Sequence, residues 1–297
     1  MAIKKPNFPP NLALLISISA VSTASVLIRI ADAPAMAVAT WRLVLSTLIL
    51  LPLFISNGGV KKLQTTNRSD LIVLAGVGFV LAIHFASWIT SLNLTSIASS
   101  VIFVHVDPIL VALVSHFLVK ERVTKRVAFG IVIALVGVFV IAIGDFKISE
   151  TNLIGDLLSL LGAIALGIYL LAGRSLRQRL DLTSYVTPVY AISSITLFFG
   201  SLFWGIPLVG YNANQYFVFA MIALVPMIFG HTVYNWALRW VSAPIVSISL
   251  LGEPIGASLL AFIILNEAPT LTTVVGGAVT LIGILISVYK PRDVSNS

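Results

Sequence analysis

The chain has 297 residues, of which 58% are hydrophobic and only 10% are charged. A soluble domain carries roughly a quarter charged residues, so this composition excludes a soluble protein and indicates an integral membrane protein. The net charge of +7 would suggest a nucleic-acid partner for a soluble chain. In a membrane protein, an excess of Lys and Arg in the cytoplasmic loops explains this positive net charge. We therefore expect no nucleic-acid partner. The absence of cysteine excludes disulfides, cysteine-ligated metals and thiol catalysis.

Ten apolar segments each have about the length that crosses a bilayer, because a helix rises about 1.5 Å per residue across about 30 Å of hydrocarbon. We therefore predict an all-α membrane protein with ten transmembrane helices. Short loops that concentrate Gly, Pro, Asn and charged residues join them. In chain order the segments are approximately Asn11–Ala31, Met36–Ser56, Leu71–Ser91, Ile97–Leu118, Val127–Gly144, Leu153–Gly173, Tyr185–Ile206, Tyr216–Leu238, Pro244–Leu265 and Leu271–Tyr289.

Basic residues predict the orientation, because cytoplasmic loops of membrane proteins carry an excess of Lys and Arg. If the N-terminus is cytoplasmic, the outer side holds only three of the 18 Lys and Arg residues, namely Arg29, Arg42 and Lys147. With ten spans, the C-terminus is then cytoplasmic as well.

The second half of the chain repeats the first at an offset of 146 residues without gaps. The stretch "VDPILVALVSHFLVKERVT" lies over "GEPIGASLLAFIILNEAPT", which places Asp107-Pro108 on Glu253-Pro254 and Glu121 on Glu267. We predict two five-helix repeats, residues 1–149 and 150–297. Because five is odd, the second repeat enters the membrane inverted. Inverted-topology repeats are typical of secondary transporters, whose sites lie near the midplane, although channels and intramembrane enzymes can also be duplicated.

Small residues recur at helical spacing in the fifth span and at the repeat-related positions of the tenth. Such residues permit helices to approach closely, so we predict that they serve packing. They are Gly130, Ala134 and Gly137, with their partners Gly276, Thr280 and Gly283.

Three candidate site residues precede the fourth span. Arg42 lies near the predicted outer mouth, where it could contact a substrate carboxylate or Asp32. His84 and Trp88 are four residues apart in the third span, so they share a helix face. Trp88 is a candidate for stacking on a substrate.

An acid followed by proline stands in the middle of the fourth and ninth spans. A charge at mid-bilayer costs roughly 2.5–3.5 kcal/mol on insertion scales. Proline has no amide donor and leaves a backbone carbonyl in the preceding turn without a partner. In the middle of the bilayer such a carbonyl is tolerated where other protein groups or a water-filled cavity provide a hydrogen bond. We predict that Asp107-Pro108 and Glu253-Pro254 form a central polar site. The alternative is a kinked helix whose acid bonds a neighbouring helix.

Helical geometry places His105 and His116 on the opposite face of the fourth span from Asp107. If Asp107 faces the cavity, these two histidines face away from it, and we interpret them as structural residues.

His231 and Asn235 stand four residues apart in the eighth span, and His231 lies 147 residues after His84. Two histidines at nearly mirrored depths are candidates for function, with packing as the alternative. Because histidine in water titrates near pH 6.5, we hypothesise that these histidines and the two acids couple transport to protons.

The ordered set of motifs, present in two copies, resembles the EamA family of the drug/metabolite transporter superfamily. It comprises an acid-Pro pair, an acidic "KER" or "NEA" and a following Gly-punctuated helix. "WRLVLSTLILLPL" from Trp41 to Leu53 is similar to that family's second helix with its leading Arg. "GDLLSLLGAIALGIYLLAGRSLR" from Gly155 to Arg177 resembles the start of its second repeat. The resemblance covers residues 11 to 289.

The resemblance implies a ten-helix fold in which helices 3, 4, 8 and 9 line a central cavity and helices 5 and 10 pack together. Glu253 fits the family's Glu-Pro pair in helix 9, whereas an acid at Asp107 is less typical. Family members mostly export small metabolites, including amino acids, and some export drugs or vitamins.

We therefore expect a secondary active transporter that exports a small metabolite such as an amino acid by alternating access. Drug or cation efflux, vitamin or nucleoside transport, and more remotely an intramembrane enzyme or a channel, remain alternatives. The sequence contains no P-loop, HExxH or nucleophile motif, so we expect neither a cofactor nor a resident metal. The expected location is the inner membrane of a bacterium or archaeon.

Overall fold

The computed structural model describes residues 6–95, 100, 103–117, 123–143, 150–265 and 271–288. All regular secondary structure in these ranges is helical. Lys147, Glu121, Glu267 and both chain termini, which the orientation and repeat predictions use, lie outside the described residues.

The helices of the first half run to Ile143. They are α1 (Pro10–Val21), α2 (Ala24–Ala31), α3 (Ala35–Ser56), α4 (Gly59–Gln64), α5 (Arg68–Leu94), α6 (Asp107–Phe117) and α7 (Lys125–Ile143).

The helices of the second half include one π-helical segment, here named π1. They are α8 (Glu150–Leu176), α9 (Leu182–Phe203), α10 (Ala213–Ile222), π1 (Ala223–Thr232), α11 (Val233–Ala237), α12 (Ala243–Leu250), α13 (Glu253–Leu265) and α14 (Leu271–Val288).

Seven helical stretches are long and apolar enough to cross a membrane, and each coincides with a predicted span. They are Pro10–Ala31, Ala35–Ser56, Arg68–Leu94, Leu153–Leu176, Leu182–Phe203, Ala213–Ala237 and Ala243–Ile264. The other three predicted spans fall on α6, α7 and α14 together with residues outside the described part. The total of ten spans therefore stays a prediction.

Helices α7 and α14 pack antiparallel through their small residues, as predicted. A Cβ atom built on Gly137 would lie 2.5 Å from the carbonyl oxygen of Gly276, and one built on Gly283 would lie 2.6 Å from that of Gly130. Residues further along α7 thus meet residues earlier in α14. The small side chains are what allow the two backbones to approach so closely.

Two hydrogen bonds between the halves occupy nearly equivalent repeat positions. The donor lies in the second half in one of them and in the first half in the other. Ser193 of α9 donates a hydrogen bond to the carbonyl of Gly78 in α5 at 2.6 Å, and Ser46 of α3 donates one to the carbonyl of Ala223 in π1 at 3.2 Å. The donors are 147 residues apart and the acceptors 145, close to the repeat offset. Equivalent faces of the two halves therefore pack on each other.

The central core consists of the faces of these helices that point away from lipid. Leu43, Leu81, Phe85, Tyr169 and Tyr190 are fully buried there. Many large apolar side chains on the opposite faces are exposed, as a surrounding of lipid requires.

Candidate functional site

A cavity of about 30 Å³ lies between the two halves. It is large enough for water, since a single molecule needs roughly 10–15 Å³ measured in the same way. A metabolite needs more room than this volume provides. The lining residues come from both halves and are Val21, Ala24, Arg42, His84, Trp88, Val104, His105, Leu166, His231, Tyr234, Leu250 and Glu253.

The two spans that carry the acid-Pro pairs are interrupted immediately before the acid. Turns at residues 105–106 and 251–252 stand at the same repeat positions, and the helices resume at Asp107 and Glu253. Proline is tolerated in the first turn of a helix, where its missing N–H would have no partner in any case. A carboxylate there also interacts favourably with the helix dipole. Each acid therefore begins a helix and does not interrupt one.

Asp107 does not line the cavity. It is 1% exposed, and its Oδ2 accepts a hydrogen bond from the hydroxyl of Ser247 in α12. Its Oδ1 has no hydrogen-bond partner among the described residues. Asp107 thus connects α6 of the first half with α12 of the second.

The interpretation of His105 as a residue facing away from the cavity is wrong, because His105 lines it. His105 and Asp107 do lie on different sides of this segment, but His105 faces the cavity and Asp107 does not. The turn at residues 105–106 interrupts the helix, so the rotation of 100° per residue that the sequence-based prediction assumed does not apply across it.

Glu253, at the start of α13, lines the cavity and is partly buried. It lies within Coulombic range of Arg42 and of Asp107. The cavity wall therefore contains a carboxyl group from the second half and a guanidinium from the first.

Arg42 lies in the cavity wall and not at the outer mouth where the sequence placed it. Its side chain is 1% exposed, and its Cζ lies 4.0 Å from the centroid of the Phe85 ring. Its Nε and Nη1 have no hydrogen-bond partner among the described residues. The suggested pairing with Asp32 is not formed, since the ion pairs within the described ranges join other residues.

His84 and Trp88 lie together on α5 and both line the cavity. Their rings are stacked, with centroids 6.0 Å apart and an angle of 8° between the planes. Nδ1 of His84 lies 2.9 Å from the carbonyl oxygen of Gly162 in α8. Because a carbonyl only accepts, Nδ1 carries the proton, and in the neutral ring Nε2 is an acceptor.

His231 lines the cavity from π1, and its Nδ1 lies 2.5 Å from the hydroxyl of Tyr234, another lining residue. Asn235 is fully buried outside the lining. It donates hydrogen bonds of 2.6 Å to the Tyr169 hydroxyl and to the carbonyl of His231. The structure thus places Asn235 behind His231, supporting the cavity wall.

Sequence reasoning missed several contributors to the site. Phe85 lies beneath Arg42, Tyr234 bonds His231, and Val21 and Ala24 bring the first span into the lining. The spacing of Tyr234 three residues after His231 was visible, but it did not indicate a hydrogen bond. The turn between α1 and α2, which brings Val21 and Ala24 to the cavity, had no proline or glycine to indicate it.

Two ion pairs join the halves at the end of the molecule that contains α4. Lys62 Nζ lies 2.8 Å from Asp181 Oδ2, and Arg179 Nη1 lies 2.7 Å from Asp70 Oδ1. Asp181 also caps α9 by accepting from the backbone N–H of Ser184. Partial burial would raise the pKa of Asp181, but the hydrogen bonds from Lys62 and from Ser184 outweigh it and lower the pKa from 3.8 to about 2.

A helical protein with several membrane-spanning helices and a cavity that contains charged groups between its two halves is consistent with a membrane transporter. The model of the EamA-like transporter family matches residues 9–143 and 153–289, and the chain belongs to this family. The resemblance seen in the sequence is confirmed.

Relatives of the chain include proteins named as uncharacterized transporters. One from Archaeoglobus fulgidus is 29% identical over 189 residues, which cover 64% of this chain and 67% of the relative. The uncharacterized transporter YyaM of Bacillus subtilis is 23% identical over 252 residues, which cover 83% and 82%. A crystal structure of a protein 16% identical in sequence has a TM-score of 0.78 and covers 94% of this chain and 97% of that one, so the fold is shared.

Proposed function

We propose that the protein is a secondary active transporter that moves a small metabolite by alternating access. The observation that carries the proposal is the composition of the cavity wall. Arg42 and His84 come from one half and His231 and Glu253 from the other, at the centre of an apolar helical bundle. Ionisable residues inside a membrane protein are costly and generally mark a substrate or ion pathway.

Two inverted five-helix halves would supply the movement. The antiparallel packing of α7 on α14 and the exchanged contacts Ser193–Gly78 and Ser46–Ala223 support this arrangement. Inverted repeats give a transporter two states of similar energy, in which the halves exchange conformations around a fixed site. The cavity, of about 30 Å³, would have to widen to hold a metabolite, and the movement of the halves would provide this room.

The sidedness of the contacts agrees with the orientation predicted from basic residues. Lys62 and Asp181 belong to loops predicted to be cytoplasmic, and they touch. Gln215 donates to the backbone carbonyl of Asp32 at 2.8 Å, and both belong to loops predicted to be external. We propose cytoplasmic termini and, from the bacterial and archaeal relatives, a location in the inner membrane.

Amino acids are the leading substrate class and export the leading direction, both from the family resemblance. Cation or drug efflux is the second candidate, because Glu253 and the Trp88 ring line the same cavity and suit a cationic ligand. Proton coupling through Glu253, Asp107 and the histidines is part of the proposal. An enzyme is not proposed, because the family and the named relatives are transporters.

Counterflow in proteoliposomes tests the proposal. Vesicles containing the purified protein are loaded with one unlabelled compound from a panel of amino acids, nucleosides and cationic drugs, and uptake of the labelled compound is followed. A carrier gives a saturable, transient accumulation above equilibrium. If every compound that enters only reaches equilibrium across the membrane, without transient accumulation, the protein is a pore.

A further inference from the structure

Two arginines are buried among the described residues, and their surroundings differ. Arg177 is 2% exposed, and it donates to the carbonyls of Asn235 at 3.0 Å and Leu180 at 2.5 Å. Arg42 is 1% exposed, but its Nε and Nη1 have no partner within the described ranges. The first arginine is satisfied by its own protein, whereas the second presents unpaired donors.

A buried guanidinium is costly unless its charge and its N–H donors are satisfied, and the described residues provide no hydrogen bond to Nε and Nη1 of Arg42. Arginine cannot lower this cost by losing its proton, since it stays charged in proteins. The face of Phe85, 4.0 Å from Cζ, stabilises the charge without accepting an N–H bond in the guanidinium plane. The in-plane donors therefore remain available to a ligand.

The residue that carries these donors, Arg42, lines the cavity. A planar guanidinium matches a carboxylate in geometry and forms short, charge-assisted hydrogen bonds with it. The rest of the wall near it includes the apolar side chains Val21, Val104, Leu166 and Leu250. The cavity thus combines the guanidinium of Arg42 with several apolar side chains, and its other polar groups include the carboxyl of Glu253 and the histidines.

We propose that Arg42 binds a carboxylate of the transported compound, and that the substrate is a small organic carboxylate with an apolar body. This inference rests on the proposed transport function and narrows its substrate class. Glu253, within Coulombic range of Arg42, stands where a positive group of a zwitterion would be favoured. Compounds that carry a positive charge and no carboxylate meet the Arg42 charge and are excluded.

Binding to the purified protein in detergent tests this with three probes of similar shape. L-Leucine has both charges, 4-methylpentanoate lacks the ammonium group, and isoamylamine lacks the carboxylate. We expect both carboxylates to quench tryptophan fluorescence saturably, because Trp88 lines the cavity, and isoamylamine to have no effect. Arg42→Gln should weaken carboxylate binding at least tenfold, and Arg42→Lys, which keeps the charge without the planar donors, should weaken it less.

Stability distinguishes a binding role from a structural one. Arg42→Gln removes a buried charge whose Nε and Nη1 have no hydrogen-bond partner among the described residues, so the variant should melt at the same temperature as the wild type or higher. Arg177→Gln, the matched control, should melt lower because it leaves two carbonyls unpaired, while probe selectivity is unchanged. Equal binding of isoamylamine, unchanged carboxylate binding in Arg42→Gln, or no binding of either carboxylate to the wild type would each overturn the inference. Counterflow of a cationic drug would then still support the transport function, whereas carboxylate binding without any counterflow would count against transport alone.

Discussion

Ser247 of α12 donates a hydrogen bond to the carboxylate of Asp107, which begins α6. Both residues are buried, and the second oxygen of Asp107 has no partner in the described part of the chain. This bond therefore connects the two halves beside the cavity but outside its lining.

We predict that Ser247→Ala lowers the free energy of unfolding by about 1–3 kcal/mol, the cost of a buried acceptor left without a donor. Asp107→Asn keeps an acceptor oxygen for Ser247 and should be better tolerated. The measurement is denaturant unfolding in mixed micelles. Ser258→Ala is the control, because that hydroxyl bonds the Pro254 carbonyl within its own helix. Equal stability losses for the two serine variants would show that the contact with Asp107 is not important.

Glu253→Gln should reduce counterflow by about tenfold or more, because hydrogen bonds to charged groups contribute about 1.5–3 kcal/mol. The variant should reach the membrane at wild-type levels, as membrane fractions can show. If protons couple through this residue, an imposed pH gradient should change the rate of the wild type and leave that of the variant unchanged. Full activity of Glu253→Gln would remove the residue from the site, and indifference of the wild type to pH gradients would exclude proton coupling.

The sequence predicted the helical class, the family and the packing residues, and it named five of the twelve residues that line the cavity. The lengths of the apolar segments and the repeat at 146 residues are sufficient for these predictions, because both can be read directly from the sequence. The close approach of α7 and α14 followed directly from small residues at matching repeat positions.

The orientation of individual side chains could not be predicted where the helix is irregular. The turn at residues 105–106 brought His105 to the cavity and Asp107 to Ser247. The segment around His231 is π-helical, with Pro226 inside it, so spacing rules for α-helices do not apply there. Arg42 was assigned to the outer mouth by its place in the span, and only tertiary packing showed that it enters the cavity.

Gly283→Ala should destabilise the protein by about 1–3 kcal/mol, the usual cost of overpacking. The added Cβ would lie 2.4 Å from the backbone nitrogen of Ala134, which cannot move aside as a side chain can. Gly277→Ala in the same helix is the matched control, because its Cβ would meet Ile255 at an ordinary 3.6 Å. Melting curves of both variants provide the comparison, and a Gly283→Ala protein as stable as Gly277→Ala would contradict the packing described for α7 and α14.

Acid should weaken the contact between Lys62 and Asp181. The pKa of Asp181 is about 2 in the folded protein, below its ordinary 3.8. A lowered folded pKa contributes stability above the unfolded value, and this contribution is lost as the pH falls from about 4 to about 2. The melting temperature of the wild type should therefore fall across this window by more than that of Asp181→Asn, which retains a capping oxygen. Parallel curves for the two proteins would show that the ion pair contributes nothing, as many exposed pairs do.

The most direct test of alternating access is the accessibility of one cavity position from both sides of the membrane. The chain has no cysteine, so Ala24→Cys, which lines the cavity, introduces a single reactive group. Lys61→Cys and Val209→Cys, exposed on loops predicted to be cytoplasmic and external, calibrate the two sides. We predict that membrane-impermeant thiol reagents label Ala24→Cys in both right-side-out and inverted vesicles, while each control is labelled in only one kind. Labelling of Ala24→Cys from one side only, with or without substrate, would contradict the account.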